Sequence, residues 1–369
     1  MNRILFVNLQ GRIAGAERSL LLLVRHLSSR FDKVVACPAG SPLSAKLQSM
    51  GVACIGLGSV PVRSLRSVLS LPYLLVTIGQ LAGAASRLKP DIIHANSFYA
   101  AAVSLAAGRM AGTKTILHGR DLNKSRLSCR ILGRGCEKII AVSTAVKNLL
   151  VEYGTDPGKI EVVHNGVESD IFARCPPAFS SKKKPFVFAN IGQFVPWKNH
   201  AAFLKSVSLV GGKLPNAEFV VVGDDVFGRN RRYKRTLLQQ VKDSPAAEKI
   251  SILGWQPDME QVWYKVDCLV HTACREPFGR VIIEAMAHRL PVIAADSAGP
   301  CEIIEDGRTG LLVNPERIEQ LSGAMLRVAR DRDFAERLAQ AGYEHVKAKF
   351  SAALTAASIE GIYREVIAR

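Results

Sequence analysis

The chain has 369 residues, enough for two ordinary hydrophobic cores, and its 48% hydrophobic and 22% charged residues exclude a disordered or low-complexity protein. The formal net charge of +17 is lopsided: residues 1–150 carry 20 Lys/Arg against 5 Asp/Glu, and residues 151–369 carry 29 against 27. Eight cysteines show no C-x-x-C pair, which argues against a zinc site and for reduced, cytosolic thiols.

In chain order, Ile4–Val7 is too short for a secretory h-region and reads as a buried first strand. Short β-branched runs then alternate with helical patterns, predicting strands at Val34–Cys37, Ala53–Leu57, Asp91–Ala95, Thr115–His118 and Lys138–Val142. Residues 174–185, rich in Pro, Ser and Lys, read as an interdomain linker and hinge. A second series follows at Phe186–Ile191, Glu218–Val222, Ile250–Leu253, Asp267–His271, Pro291–Ala295 and Gly310–Val313. The expected fold class is α/β: two Rossmann-like doubly wound domains, 1–175 and 186–350, facing a cleft. Ile359, Ile362, Tyr363, Val366 and Ile367 form one helical stripe, so residues 351–369 are expected to pack back on the first domain.

Two stretches bear on the basic half. Residues 67–86 carry no charge, but Pro72, Thr77 and Gln80 favour a crossover helix on the sheet, with a partly embedded amphipathic helix as the alternative. Arg126, Arg130, Arg134 and Lys138 recur every four residues, the first three on one helical face, with Arg120 and Lys124 upstream, which gives either a solvated helix face or a docking surface for lipid or acceptor phosphate. Nucleic acid is not expected, since zinc-finger spacing and aromatic ribonucleoprotein signatures are missing from the sequence.

The chemistry-bearing residues cluster at predicted strand ends, where open α/β sheets bind ligands. Gly11 to Glu17, including Gly15, follows the first strand and opens a helix, which suits close approach of an anion or a hydroxyl-rich ligand, or a plain tight turn. His118 ends one strand and His94 sits similarly on another, while His164, beside Asn165-Gly166, reads as a turn residue. Gly192-Gln193 leads to Lys198, a point charge suited to phosphate. Gly223-Asp224-Asp225 hints at a metal but reads better as a solvated loop. Glu276, Phe278, Gly279, Arg280 and Glu284 span a strand-loop-helix junction that offers backbone amides to a diphosphate and carboxylates to hydroxyls. A capped amphipathic helix with two exposed glutamates is the alternative.

The order of Ala14-Gly15-Ala16-Glu17, His118, Gly192 to Lys198 and Glu276 to Glu284, with seven residues between the glutamates, resembles the retaining GT-B glycosyltransferases of family 4. That resemblance implies a nucleoside-diphosphate sugar donor on the second domain, an acceptor on the first, retention of configuration, and no cofactor or catalytic metal. It assigns Glu284 to the ribose, Glu276 to sugar hydroxyls, Phe278 and Gly279 amides to the phosphates, Lys198 to the leaving group, and His118 to the transferred sugar. Gly15, Gly192, Gly223 and Arg280 would line the donor site. Gln193 stands where the family commonly has Arg, with Arg280 or Arg275 as substitutes, and Ala14 replaces the first glycine of a Gly-Gly pair. The implied reaction is envelope polysaccharide, lipopolysaccharide or glycolipid synthesis by a cytoplasmic protein, peripheral on the inner face of the cell membrane. A catalytically silent partner of a transferase and a nucleotide-sugar epimerase are the alternatives.

Overall fold

A computed structural model describes residues 1–58, 71–122, 125–174 and 185–369. The first half runs β1 (Asn2–Val7), α1 (Gly15–His26), β2 (Phe31–Pro38), α2 (Pro42–Ser49), β3 (Ala53–Leu57), α3 (Leu71–Leu88), β4 (Ile92–Ala95), α4 (Phe98–Ala111), β5 (Lys114–Gly119), α5 (Arg126–Gly135), β6 (Lys138–Ala141), α6 (Thr144–Glu152) and β7 (Ile160–Val162). After α7 (Ile171–Arg174) come β8 (Phe186–Ile191), α8 (His200–Val210), β9 (Ala217–Val222), α9 (Arg231–Lys242), β10 (Ile250–Gly254), α10 (Glu260–Trp263), β11 (Cys268–His271), α11 (Arg280–Ala287), β12 (Val292–Ala295), α12 (Pro300–Ile303) and β13 (Leu311–Val313). Three helices close the chain: α13 (Ile318–Arg330), α14 (Arg332–Lys349) and α15 (Ala352–Ala368).

Two compact units result, Met1–Gly166 with Ala352–Arg369, and Val167–Ser351. The chain therefore leaves the first unit at Gly166, ahead of the proline-rich stretch; the predicted linker lies almost wholly outside the described residues.

In the first unit seven parallel strands are ordered β3-β2-β1-β4-β5-β6-β7. One face of this sheet is packed by Ile4, Phe6, Ile92, Ile116 and Ile140, and the alternate residues Leu5, Ile93, Leu117 and Ile139 are buried on the other, as a parallel sheet covered on both sides requires. Serine caps start the helices at strand ends: Ser97 and Ser143 accept from the amides of Ala100 and Val146, satisfying first-turn donors of α4 and α6. The stripe Ile359, Ile362, Tyr363 and Val366 of α15 packs into this core beside Leu20 and Val24 of α1. Residues 71–88 form a crossover helix whose buried face carries Leu81, Ala82 and Ala85, and residues 67–70 lie outside the described residues. Among the described residues no helix is long and apolar enough to cross a membrane.

In the second unit six parallel strands are ordered β10-β9-β8-β11-β12-β13 around a core containing Phe188, Phe203, Phe219, Val270 and Met325. Among the described residues, β7 is the strand that the sequence pattern does not predict: three residues with Glu161 at the centre carry too little pattern to read.

Candidate active site

Strand order reverses between β1 and β4, and a parallel sheet opens a crevice there at its carboxyl end. Asn8 and Asn96 each sit one residue past these strands, and Asn96 Nδ2 donates to Asn8 Oδ1 at 2.9 Å. Asn8 Nδ2 donates to Glu17 at 3.3 Å, and Glu17 Oε2 accepts from the Ala14 amide at 3.1 Å. Glu17 thereby caps the helix opened by Gly15, although Ala14 has no capping side chain. Burial raises the Glu17 carboxyl above its usual range, against these hydrogen bonds and the charge of Arg120.

His118, at the end of β5, is 2% exposed. Arg120 Nη2 lies 3.1 Å from its Nδ1. A guanidinium only donates, so Nδ1 accepts and the proton is assigned to Nε2. His94 Nε2, 3.2 Å from the same Nδ1, must then also donate, which leaves His94 Nδ1 to accept from the Tyr363 hydroxyl at 2.6 Å. Burial, with the charge of Arg120, lowers the pKa of His94 to about 3 and that of His118 well below the ordinary value. Both rings are neutral, and His118 Nε2–H is a buried donor without a protein partner among the described residues.

Of the residues expected to meet acceptor or membrane, Arg120 stands apart from the α5 row: its guanidinium also donates to Asn96 at 3.2 Å and to Asn165 at 2.8 Å, which turns it into the crevice. Arg126, Arg130 and Arg134 are exposed on α5, and Lys124 lies outside the described residues.

In the second unit the order reverses between β8 and β11. Lys198, on a short turn after β8, forms an ion pair with Glu276 Oε2, and His271 Nε2, at the end of β11, lies 3.2 Å from the same oxygen. Burial alone would raise the Glu276 carboxyl, but the charge of Lys198 and the His271 contact outweigh it and hold the pKa at about 2. Lys198 Nζ also stands 4.5 Å from the Trp197 ring centroid. A methyl group at Gly192 would meet the Lys198 stem at 3.3 Å. Gly223, with φ of +148°, passes so near that its Cβ would fall 1.8 Å from the Gly192 carbonyl oxygen, so only glycine fits. Nothing in the structure assigns a task to the Gln193 side chain.

Gly279, with φ of +105°, turns the loop of Glu276 into α11. The Phe278 ring is buried against Phe350, and its backbone runs close against Gly299, where an added Cβ would fall 2.4 Å from the Phe278 Cα. The Gly299 amide donates to the Glu276 carbonyl at 3.0 Å, tying a second loop to the first. Glu284 is 2.8 Å from Arg280 Nη2, one turn away on α11. Arg280 is thus engaged with Glu284, and Arg275 is exposed. Asp224 pairs with Lys234 at 2.5 Å, while Asp225 caps the amides of Arg229 and Asn230 at 2.9 and 2.8 Å.

Sequence reasoning missed Asn8, Asn96, Asn165, Tyr363 and His271. The strand-end rule that selected His118 also reaches Asn8, Asn96 and His271. Tyr363 was visible only as part of an apolar stripe.

The glycosyl transferases group 1 profile matches residues 175–345, and the glycosyltransferase family 4 profile matches residues 13–171. Together they take in both crevices. The chain belongs to the group 1, family 4 glycosyltransferases. Among its relatives, an Escherichia coli UDP-Gal:alpha-D-GlcNAc-diphosphoundecaprenol alpha-1,3-galactosyltransferase is 24% identical over 89% of this chain and 88% of its own. Sulfoquinovosyl transferase SQD2 of Arabidopsis thaliana is 26% identical over 91% and 68%. The crystal structure of Anabaena Alr3699/HepE in complex with UDP and glucose, at 22% identity, superposes with a TM-score of 0.85 over 99% of this glycosyltransferase and 100% of that chain, which gives the GT-B fold.

Proposed function

We propose that this glycosyltransferase retains anomeric configuration, works without a metal, and moves a sugar from a nucleoside diphosphate to an acceptor presented at the membrane surface. The observation that carries the reading is the Lys198–Glu276–His271 cluster beside the start of α11. In it Glu276 is ionised and accepts hydrogen bonds from sugar hydroxyls, while Glu284, oriented by Arg280, accepts from the ribose diol. The Lys198 ammonium and the backbone amides at Phe278 and Gly279 face the diphosphate as negative charge grows on the leaving oxygen, a preorganised stabilisation that is strong in a buried site. His118 donates from Nε2 to an oxygen of the transferred sugar, with Gly15 beside it. The buried carboxylate of the first crevice, Glu17, is tied to Asn8 and Ala14, which favours attack on the same face as the departing diphosphate, whose oxygen takes the acceptor proton.

The membrane role and a place in envelope polysaccharide, lipopolysaccharide or glycolipid synthesis are supported by the charge of the first half and by the lipid-linked acceptor named for the Escherichia coli relative. The test is nucleotide release from UDP-, GDP- and ADP-sugars in EDTA, with anomeric assignment of the product by NMR. Release from one donor with the axial or equatorial bond kept supports the reading. An inverted product removes retention, and activity abolished by EDTA and restored by a divalent ion removes metal independence.

A further inference from the structure

Trp197 is 40% exposed, whereas Trp263 of the same unit is buried at 3%, so core packing does not account for the indole of Trp197. A single exposed apolar side chain is ordinary. What sets this one apart is its neighbour. The Lys198 ammonium stands 4.5 Å from the indole centroid, within the range of a cation–π contact, and the same ammonium pairs with Glu276.

The backbone of this turn, Pro196–Lys198, is held by the loop that carries Glu276. The Cys274 amide donates to the Trp197 carbonyl at 3.2 Å, and the Thr272 hydroxyl lies 3.1 and 2.9 Å from the carbonyl oxygens of Lys198 and Asn199. What those bonds leave free is the end of a flexible side chain, a strongly hydrated point charge on a four-carbon stem. The Lys198 side chain is nevertheless only 15% exposed, with the indole covering it beside Glu276. An ammonium has three N–H groups. With one on Glu276 and the ring over another, one is left to meet an anion. Gln193 brings no second cation, Arg280 is engaged with Glu284, and Arg275 is exposed. The placement of a single ammonium therefore matters more here than it would in a cationic pair.

We propose that Trp197 is a positioning residue: its indole face holds the Lys198 ammonium beside Glu276, with one N–H left for the donor diphosphate, and keeps water from that ammonium as the leaving oxygen gains charge. The inference rests on the leaving-group role given to Lys198 above and adds to it the group that orients the lysine. Charge on the leaving oxygen is greatest in the transition state, so a misplaced ammonium weakens the transition state more than the donor complex. Loss of the ring is therefore read in kcat more than in KM.

The experiment measures kcat and KM by nucleotide release, with whichever of the UDP-, GDP- and ADP-sugars the chain turns over, for Trp197→Leu and Trp197→Phe, alone and combined with Lys198→Met. Trp197→Leu is expected to lower kcat about tenfold with KM nearly unchanged, and Trp197→Phe, which keeps an aromatic face, about threefold. In the Lys198→Met background the leucine change should cost nothing further, since the ring then has no cation to hold. A second measurement leaves the shape of the site intact. Uniform replacement of the three tryptophans by a fluorinated analogue, which draws electron density from the ring face, should slow the native chain and spare the Trp197→Phe variant. If Lys198→Met turns over like the native chain, the leaving-group reading of Lys198 falls and the positioning role falls with it. If Lys198→Met is slow but Trp197→Leu keeps the native kcat, the reading of Lys198 stands and the positioning role does not. The proposal is also overturned if the leucine change costs the same factor in both backgrounds, or if fluorination slows the native chain and Trp197→Phe alike.

Discussion

The hydroxyl of Tyr363 lies 2.6 Å from Nδ1 of His94, so a side chain of the last helix fixes the protonation of a histidine pair at the carboxyl end of the first sheet. The proton order, Tyr363 to His94 to His118, ends in a donor at His118 Nε2. Loss of the hydroxyl leaves a buried acceptor unmatched, at about 1–3 kcal/mol. Tyr363→Phe should therefore lower the melting temperature and reduce kcat more than KM. His118→Gln, which keeps a donor, should retain clearly more turnover than His118→Ala. Equal losses in the two variants would show that donation from Nε2 does not matter.

Lys198 serves both charge and structure. Lys198→Ala leaves the buried Glu276 carboxylate without its main counter-charge, so the carboxyl should move up from about 2, and the broken pair should cost on the order of 3–5 kcal/mol. Turnover should fall by roughly a hundredfold or more, as when a preorganised donor is removed. Adding Glu276→Gln to Lys198→Ala should recover part of the stability and none of the turnover. A double variant as unstable as the single one would dissociate the pair from the fold. Urea unfolding and nucleotide release measure the two effects separately.

Both sheets were legible because parallel strands buried on both faces leave unbroken runs such as Ile4–Val7 and Phe219–Val222, whichever residues line the crevice. His118 and the residues from Glu276 to Glu284 were legible for the related reason that strand ends and helix starts have sequence markers. What stayed hidden depends on contacts between distant segments. Tyr363 and His94 are 269 positions apart, and the pairing of Arg120 with Asn165 requires β5 and β7 to flank β6 before either residue looks unusual. Arg120 also sat within a basic run, where charge density masked an inward-facing guanidinium. The exposed pair Leu127 and Ile131 was hidden for the opposite reason, since aliphatic residues in a helix are presumed to face a core.

Gly223 meets a backbone requirement where its chain passes Gly192. A Cβ there would overlap the Gly192 carbonyl at 1.8 Å, in a conformation that other residues rarely adopt. Gly223→Ala should cost roughly 3 kcal/mol. It should also displace the turn that positions Lys198, raising KM for the donor. Gly212→Ala, with nothing within 4 Å of the added carbon, is the control and should be close to neutral. Similar melting temperatures for the two variants would contradict the geometry around Gly192.

Acid should unfold this transferase through its buried neutral histidines. His94 and His200 titrate near 6.5 when unfolded, but burial holds them at about 3 in the folded chain, and His118 is shifted the same way. Between these limits the unfolded chain binds more protons, so stability falls as pH drops below about 6.5, by about 1.4 kcal/mol per pH unit for each histidine. Glu276 adds to the loss at lower pH. Its ordinary value is 4.5 and its folded value about 2, so its contribution is complete above 4.5 and disappears as pH falls through 2. Urea midpoints followed from neutral pH to pH 4 should decline steadily, with little change on the alkaline side from these groups. In the second unit His200 packs against Phe194 with ring centroids 5.1 Å apart, so His200→Leu keeps an apolar contact while removing one proton acceptor. That variant should flatten the acid slope by about one proton's worth. An unchanged slope would mean that His200 is protonated in the folded chain, and that a neutral, buried ring is the wrong description of it.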